Sequence, residues 1–391
     1  MSNSNSARVV IVGGAIMGSF SAWALRQAGH TGPITVVDKD STYQWSSTAL
    51  SAASIRTQFG TPTNIAMSLY AAQMFRDIKQ VFGDEADIGF RENGYLILGG
   101  PDDVEARVAA ATMQRSHGAE IDVLGPEELQ RRFPGLNVDG IGIGTFGARH
   151  EGWFDAWSLL STVRRAARRQ GVEYVEAVVA SFETRDARVS EVLLADGTQL
   201  PCDFCVLAAG AWSGRLAAGL GIALPVVPKK RTVFSFKTPF KLVNFPMLFD
   251  ASGIWVRPEG EGYIGGIQPL PEHDGDADGD FEPHHGLFEE PFWPLLATRI
   301  PAMEELRLNR AWAGHYEVNT LDHNGVVGAH DELTNLIFAT GFSGHGVMHA
   351  PAVGRAVAEL ITTGDFRAID MRPLGWERIR TATPLVETIV Y

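Results

Sequence analysis

The chain has 391 residues, 45% of them hydrophobic and 20% charged, enough apolar content to bury large cores in two or three domains and unlike a disordered chain. Its formal net charge of -13 argues against non-specific binding to nucleic acid or anionic membranes, and two cysteines are too few for a disulfide framework. Net charge describes the surface, so an anionic substrate in a locally basic cleft stays open.

The chain opens with a β-branched run after Ala7, the turn Gly13-Gly14-Ala15-Ile16-Met17-Gly18, and a helical apolar period that lasts to about Gly29. Strand, tight turn and helix in that order bring backbone N–H groups to a pyrophosphate. Alanine stands at position 15, where the fingerprint carries its second glycine, and its methyl costs clearance. A second strand ends in Asp38, followed by Lys39, about 20 residues past the turn, where a carboxylate accepts hydrogen bonds from an adenosine ribose. These features predict dinucleotide binding without saying which dinucleotide. Because the first strand begins by Arg8, no signal or transit peptide is expected, and no apolar run reaches the length of a membrane span; the expectation is cytoplasmic.

Residues 44–56 are small and hydroxyl-rich, with Ser46, Ser47, Thr48, Ser51 and Ala52 suited to run beside a ligand, and they end in the cation Arg56. Pro62 starts a helix whose Ile65, Leu69, Ala72, Phe75 and Ile78 share one apolar face. From Phe90 the character changes, with a short strand at 94–98, a helix from 102 to about 117, and a glycine-rich strand region through Gly144. The next helix, running to Gln170, carries Arg164, Arg165, Arg168 and Arg169, read as a solvated face.

Strands and turns follow from Val172, past Val178, to a buried run ending at Ala209, Gly210 and Trp212, the carboxyl edge where open sheets place ligands. Cys202 and Cys205 lie in that strand-like run, where residues three apart point to opposite faces, so they are read as structural. After Pro225 and Pro228 comes a β-rich section from Arg231 to Gln268, containing Arg257 and Tyr263, able to wall a cavity. The loop from Glu272 to Asp280 has the first ligand positions of a calcium loop, but Pro283 and His285 break the pattern, and no metal is predicted.

The last motif runs from a strand into Gly341-Phe342-Ser343-Gly344-His345-Gly346-Val347 and then a helix. It presents backbone donors and a positive helix end to a group that carries or develops negative charge. His345 is either a base or a loop hydrogen-bonder, and the flanking glycines favour the second.

Together the first turn, residues 46–56, the 207–213 strand end and the Gly341–Gly346 motif resemble the D-amino-acid oxidase, glycine oxidase and sarcosine oxidase superfamily of FAD-dependent amine oxidoreductases. Within it, residues 151–158, 319–328 and 344–351 look most like the FAD-dependent oxidoreductase domain-containing group, whose mitochondrial members are associated with respiratory complex assembly. The resemblance implies an α/β (α+β two-domain) fold. A Rossmann-like FAD-binding domain would take the discontinuous segments 1–88, 150–224 and 319–391, and an antiparallel-sheet substrate domain would take 89–149 and 225–318.

It further implies oxidation of a secondary or N-methyl amino acid to an imine by hydride transfer to flavin. A small amino acid or amine would be the partner, with an electron acceptor the sequence does not identify. Arg56 matches a substrate-carboxylate arginine, with Arg257 in support, while Tyr263, His315 and Met348 would line the pocket. Two lysines of the sarcosine oxidases are missing, one where Met348 stands and one in the 263–265 strand, which makes fast use of oxygen doubtful. An FAD-binding assembly protein with little turnover and 2-hydroxy acid oxidation are the alternatives. The cysteine and histidine that bond flavin in relatives correspond to His315 and to Ser51 or a neighbour, so FAD is expected to be non-covalent. Acid precipitation should therefore leave the yellow colour in the supernatant; a yellow pellet would mean attachment, with His315 the residue to examine.

Overall fold

A computed structural model describes residues 4–270, 274–277 and 279–387. Two large sheets organise it. The first runs Val326–Ala329, Leu336–Thr340, Phe204–Leu207, Val9–Val12, Ile34–Asp38, Glu173–Glu176, and is parallel except at Val326–Ala329. Its inner strands are buried on both faces. Val9 and Ile11 pack with Phe20, Leu25 and other helix residues on one side. Val10 and Val12 pack on the other with Val189 and Val192 of a small antiparallel sheet. That double burial is why these strands read as continuous apolar runs rather than alternating ones. Cys202 and Cys205 both join the second of these cores, against the expectation of opposite faces, because Cys202 precedes the strand and escapes its period of two.

The second sheet has the order Arg307–Asn319, Val226–Lys237, Gly262–Ile267, Ile254–Glu259, Met247–Phe249, Tyr95–Gly99, Ile143–Gly147, Ile121–Leu124. Neighbours are antiparallel except where Met247–Phe249 runs parallel to Tyr95–Gly99. The parallel step falls where two separate stretches of chain meet, with no hairpin to impose opposite direction. On one face Phe234 and Phe236 pack against Phe292 from the helical segment beyond residue 287. A bridge between Val318 and Phe342 ties the longest strand of this sheet to the loop that follows Leu336–Thr340 of the first.

The opening helix, Ile16–Gln27, and the closing helix, Gly346–Thr363, lie against each other. They meet through Gly354, where a Cβ would stand 2.6 Å from the Phe20 carbonyl carbon, so the contact is backbone against backbone. Gly354→Ala should cost about 1–3 kcal/mol by overpacking, read as a lower melting temperature with earlier loss of flavin fluorescence quenching; an unchanged melting temperature would show that the helices yield freely.

Candidate functional site

Both of these helices begin without a side-chain cap. Ala15 and His345 occupy the cap positions, and neither side chain accepts from the first turn. By contrast, Asp155 caps the helix Ala156–Arg169 by accepting from the Ser158 N–H at 2.6 Å. Uncapped amino ends leave N–H donors for a ligand. At the opening helix, Ile16 N–H lies 3.4 Å from Thr48 Oγ1, which brings the hydroxyl-rich segment over the first turn. Gly13 and Gly18 are there for contact: a Cβ on Gly13 would lie 2.2 Å from the Ala208 oxygen, and one on Gly18 1.8 Å from the Gly13 oxygen.

A cavity of about 390 Å³ opens in front of this turn. It is lined by Gly13, Ala15, Ile16, Met17, Asp38, Lys39, Ser46, Ser47, Thr48, Val178, Ala209, Gly210 and Trp212, and it reaches His315 and Glu317 on the Arg307–Asn319 strand. Asp38 accepts from Gly14 N–H at 2.7 Å and from Asp40 N–H at 3.1 Å, so one carboxylate shapes the turn while still facing the cavity. Burial pushes its pKa up, and those two hydrogen bonds pull it back. Lys39 sits 3.8 Å over the Trp212 ring. Gly14 and Gly18 lie behind the lining and set its shape. A glycine cradle that no Cβ could enter, an uncapped helix end and a long cavity fit an FAD, its pyrophosphate at the opening turn. Among the expected arginine-rich face, Arg164 instead stacks 4.0 Å over Tyr43, beside the cavity, and Arg168 lies over Tyr174.

Beyond Ser51 and Ala52 is a chamber of about 40 Å³ that brings together Arg56, Ser343, Gly344, His345, Val347 and Met348. Tyr95, Phe249, Trp255 and Tyr316, none of them singled out from the sequence, form its aromatic walls. Gly344, at φ +100°, comes so close to Tyr316 that a Cβ would stand 2.2 Å from the ring. Arg56 is buried, donates to the Gln58 carbonyl and lies 3.8 Å over Phe59. Gly341, Phe342 and Gly346 fall outside the lining. Gly341 N–H instead donates to Glu317 at 3.0 Å, and Phe342 is fully buried.

Tyr263, Arg257 and His315, all expected at the substrate pocket, are not in the chamber wall. Tyr263 does not reach the chamber: it stacks on Phe236 in the core behind the sheet, and its hydroxyl accepts from Leu242 N–H at 2.9 Å. Arg257 does not reach it either. Its guanidinium donates to the Ala52 carbonyl at 2.7 and 3.0 Å and pairs with Glu259, so it fixes the Ser51–Ala52 turn. His345 is no base. Burial and the nearby charge of Arg56 push it down to about 3, and the neutral ring is held on both sides. Its Nε2 donates to the His323 carbonyl at 3.1 Å, which leaves Nδ1 to accept from His349 at 3.2 Å. His315 does not line the Arg56 chamber either: it faces the larger cavity, stacks on Phe281 at 4.0 Å and contacts the Asp280 carbonyl at 2.7 Å. In the acidic loop, Asp274, Asp276 and Asp280 pair with Arg231, Lys229 and Lys230, while Glu272, His273 and Asp278 lie outside the described residues.

Two buried carboxylates, Glu317 in a strand and Glu151 just before one, are not legible in the sequence, since an isolated glutamate looks like a surface residue. Glu317 accepts from Thr340 Oγ1 at 2.9 Å as well as from Gly341, and burial raises its pKa against those bonds. Glu151 accepts from Thr57 N–H at 2.6 Å, Thr57 Oγ1 at 2.5 Å and Gln58 Nε2 at 2.8 Å, and so fixes the two residues after Arg56.

Residues 8–360 match the model of the DAO family, described as FAD dependent oxidoreductase. The chain is 40% identical to FAD-dependent oxidoreductase domain-containing protein 1 of Xenopus laevis, over 97% of this chain and 84% of that protein. It is 24% identical to the mitochondrial sarcosine dehydrogenase of Homo sapiens, over 94% of this chain and 41% of that one. Among solved structures it resembles L-proline dehydrogenase from P. horikoshii, with a TM-score of 0.85 and 25% identity over 96% and 98% of the two chains.

Full burial raises the Glu151 carboxyl to about 7, with Thr57, Gln58 and Arg56 pulling the other way. Between the ordinary glutamate range and about 7, the folded protein holds a proton that the unfolded chain has released. This group's contribution to stability therefore falls as pH rises through that window, by roughly 3 kcal/mol at most. Glu151→Gln should flatten that part of the melting-temperature profile; a wild-type and variant pair with parallel profiles would remove Glu151 as the cause.

Proposed function

The chain belongs to the DAO family of FAD dependent oxidoreductases, and within it we propose that it oxidises a secondary or N-methyl amino acid to the imine in the chamber around Arg56. The supporting observation is the placement of that buried guanidinium in a small aromatic-walled chamber, at the uncapped amino end of the closing helix. Two of the similar proteins are named for dehydrogenation of sarcosine and of L-proline, both of them α-amino acids with a secondary nitrogen.

FAD, held along the cavity from Gly13 to Trp212, would when bound supply the two-electron acceptor for a hydride from the substrate. The protein's own residues do the positioning. Arg56 takes the carboxylate as a charge-assisted fork and so fixes one end of the substrate. Tyr95, Phe249, Trp255 and Tyr316 exclude water, which strengthens that pairing and places the α-carbon for transfer. Gly344 and Val347 bring backbone donors at the start of the closing helix to the side of the chamber where negative charge develops. Glu151 holds Thr57 and Gln58, and Arg257 holds Ala52, so both ends of the 52–58 segment are pinned. The substrate enters as the neutral amine, its ammonium proton having gone to solvent, and solvent water hydrolyses the imine once it leaves the chamber. No ionisable base is required at the α-carbon, consistent with the neutral His345.

Anaerobic mixing with sarcosine, N,N-dimethylglycine and L-proline should bleach the flavin band for at least one of them. Arg56→Lys should raise the apparent KM of that substrate by about 10- to 100-fold, the worth of a hydrogen-bonded charge at roughly 1.5–3 kcal/mol. No bleaching by any N-alkyl amino acid would sink the reading, and an unchanged KM would remove Arg56 from it.

A further inference from the structure

We propose that a second chamber, on the other side of Tyr316, is a carboxylate subsite built on Arg231, and that the substrates taken best are N-substituted amino acids bearing two carboxylates. This deepens the amine-oxidation reading and rests on it.

The two chambers are of similar size, about 40 Å³ each, and they share Ser51, Ala52, Trp255 and Tyr316 as a common wall. One contains Arg56 and the other Arg231. Both guanidiniums act on the buried Tyr316 phenol, so a single side chain feels the two cations from two chambers. Arg56 and Arg231 therefore face neighbouring chambers that meet at the Tyr316 wall.

Arg231 is held as a carboxylate receptor is held. It lies on Val226–Lys237 opposite Gly314, with its guanidinium 5.2 Å over the Tyr316 ring. Nη1 and Nη2 donate to the two oxygens of Asp274 at 2.6 and 3.0 Å, a bidentate fork. Nη1 also donates to the Lys230 carbonyl at 3.0 Å, while Nε is buried with no hydrogen-bond partner among the described residues. Asp274 comes from the acidic loop rather than from the sheet, and its carboxylate stands where a ligand's carboxylate would stand.

The plainer account is that Arg231 and Asp274 tie the loop down. Two neighbouring pairs already do that: Lys229 with Asp276 at 3.0 Å and Lys230 with Asp280 at 2.6 Å. Arg231, unlike those two lysines, stands in the wall of one of the Tyr316 chambers. Exchange of Asp274 for a ligand carboxylate keeps the fork and the charge balance, so it adds no buried unpaired charge. The loop stays anchored by its two lysine pairs. An amino acid with one carboxylate cannot make that exchange.

The test reads binding rather than turnover. FAD-loaded protein is titrated with non-oxidisable straight-chain acids, acetate to hexanoate against malonate to adipate, by the perturbation of the flavin spectrum. One dicarboxylate length should bind at least about tenfold tighter than the monocarboxylate of equal chain length, the scale of a bidentate charged pair. Arg231→Met should collapse that ratio toward one, and Asp274→Asn, which removes the competing charge, should widen it. A general folding defect moves both acids together and cannot widen the ratio. Equal binding of both acid series in the wild type, or a ratio that Arg231→Met leaves intact, overturns the subsite. If sarcosine still bleaches the flavin in that case, only the subsite falls; if no amine bleaches it while the ratio holds, the oxidation reading falls and the subsite stands.

Discussion

The site depends on backbone approaching backbone. At Gly18 against Gly13, Gly13 against Ala208, and Gly354 against Phe20, a single methyl would penetrate main-chain atoms. These contacts set the opening helix on its strand and then set the closing helix on the opening one. The consequence is electrostatic. Two helices whose cap residues, Ala15 and His345, accept nothing from the first turn are brought together at the edge of one largely parallel sheet, and a dinucleotide would supply acceptors at the first of them. At the second, Gly344 against Tyr316 repeats the device with an aromatic ring in place of main chain.

Buried charge then fixes the loops that this arrangement leaves between its elements. Glu317 gathers Thr340 and Gly341, Glu151 gathers Thr57 and Gln58, and Arg257 gathers Ala52. Each is a charged group with little solvent, costly unless hydrogen-bonded, and each finds its partners in main chain or short polar side chains next to a cavity-lining residue. Their work is positional. Removing one leaves several donors or acceptors unsatisfied at once, so the loops around the chamber are stiffer than their glycine and serine content suggests.

Local order explains what the sequence makes legible. The strand, glycine turn and helix at each end are short-range patterns, and most residues expected at the main cavity, among them Gly13, Asp38, Ser47 and Trp212, are found along its wall, while Gly14 and Gly18 lie behind it and Ser51 and Ala52 line the smaller chambers. Facing within the second sheet is decided at long range. Tyr263 turns inward because Phe236 and Phe292 pack on that side, and Phe292 comes from a helical segment about 30 residues further on that no strand pattern announces. Arg257 is taken up by Ala52, distant in sequence, so a cation in a cavity-walling strand serves the wall and not the cavity. Glu151 and Glu317 are invisible for the opposite reason: only the folded chain shows that water is absent around them.

On the proposed reading an acidic protein takes an acid, and that requires its positive potential to be kept inside. With a formal charge of -13 outside, the cations that face the small chambers are buried or nearly so. Surface repulsion is screened within about 8–10 Å at ordinary ionic strength, whereas a guanidinium in a narrow cleft is screened little. The acidic loop adds a local version of the same logic. Asp274, Asp276 and Asp280 neutralise the run Lys229-Lys230-Arg231, leaving no bare basic stripe to attract unrelated polyanions. Under the proposed function, charge selection is thus moved from the surface, where it would be indiscriminate, to a chamber where size and aromatic walls act together with it.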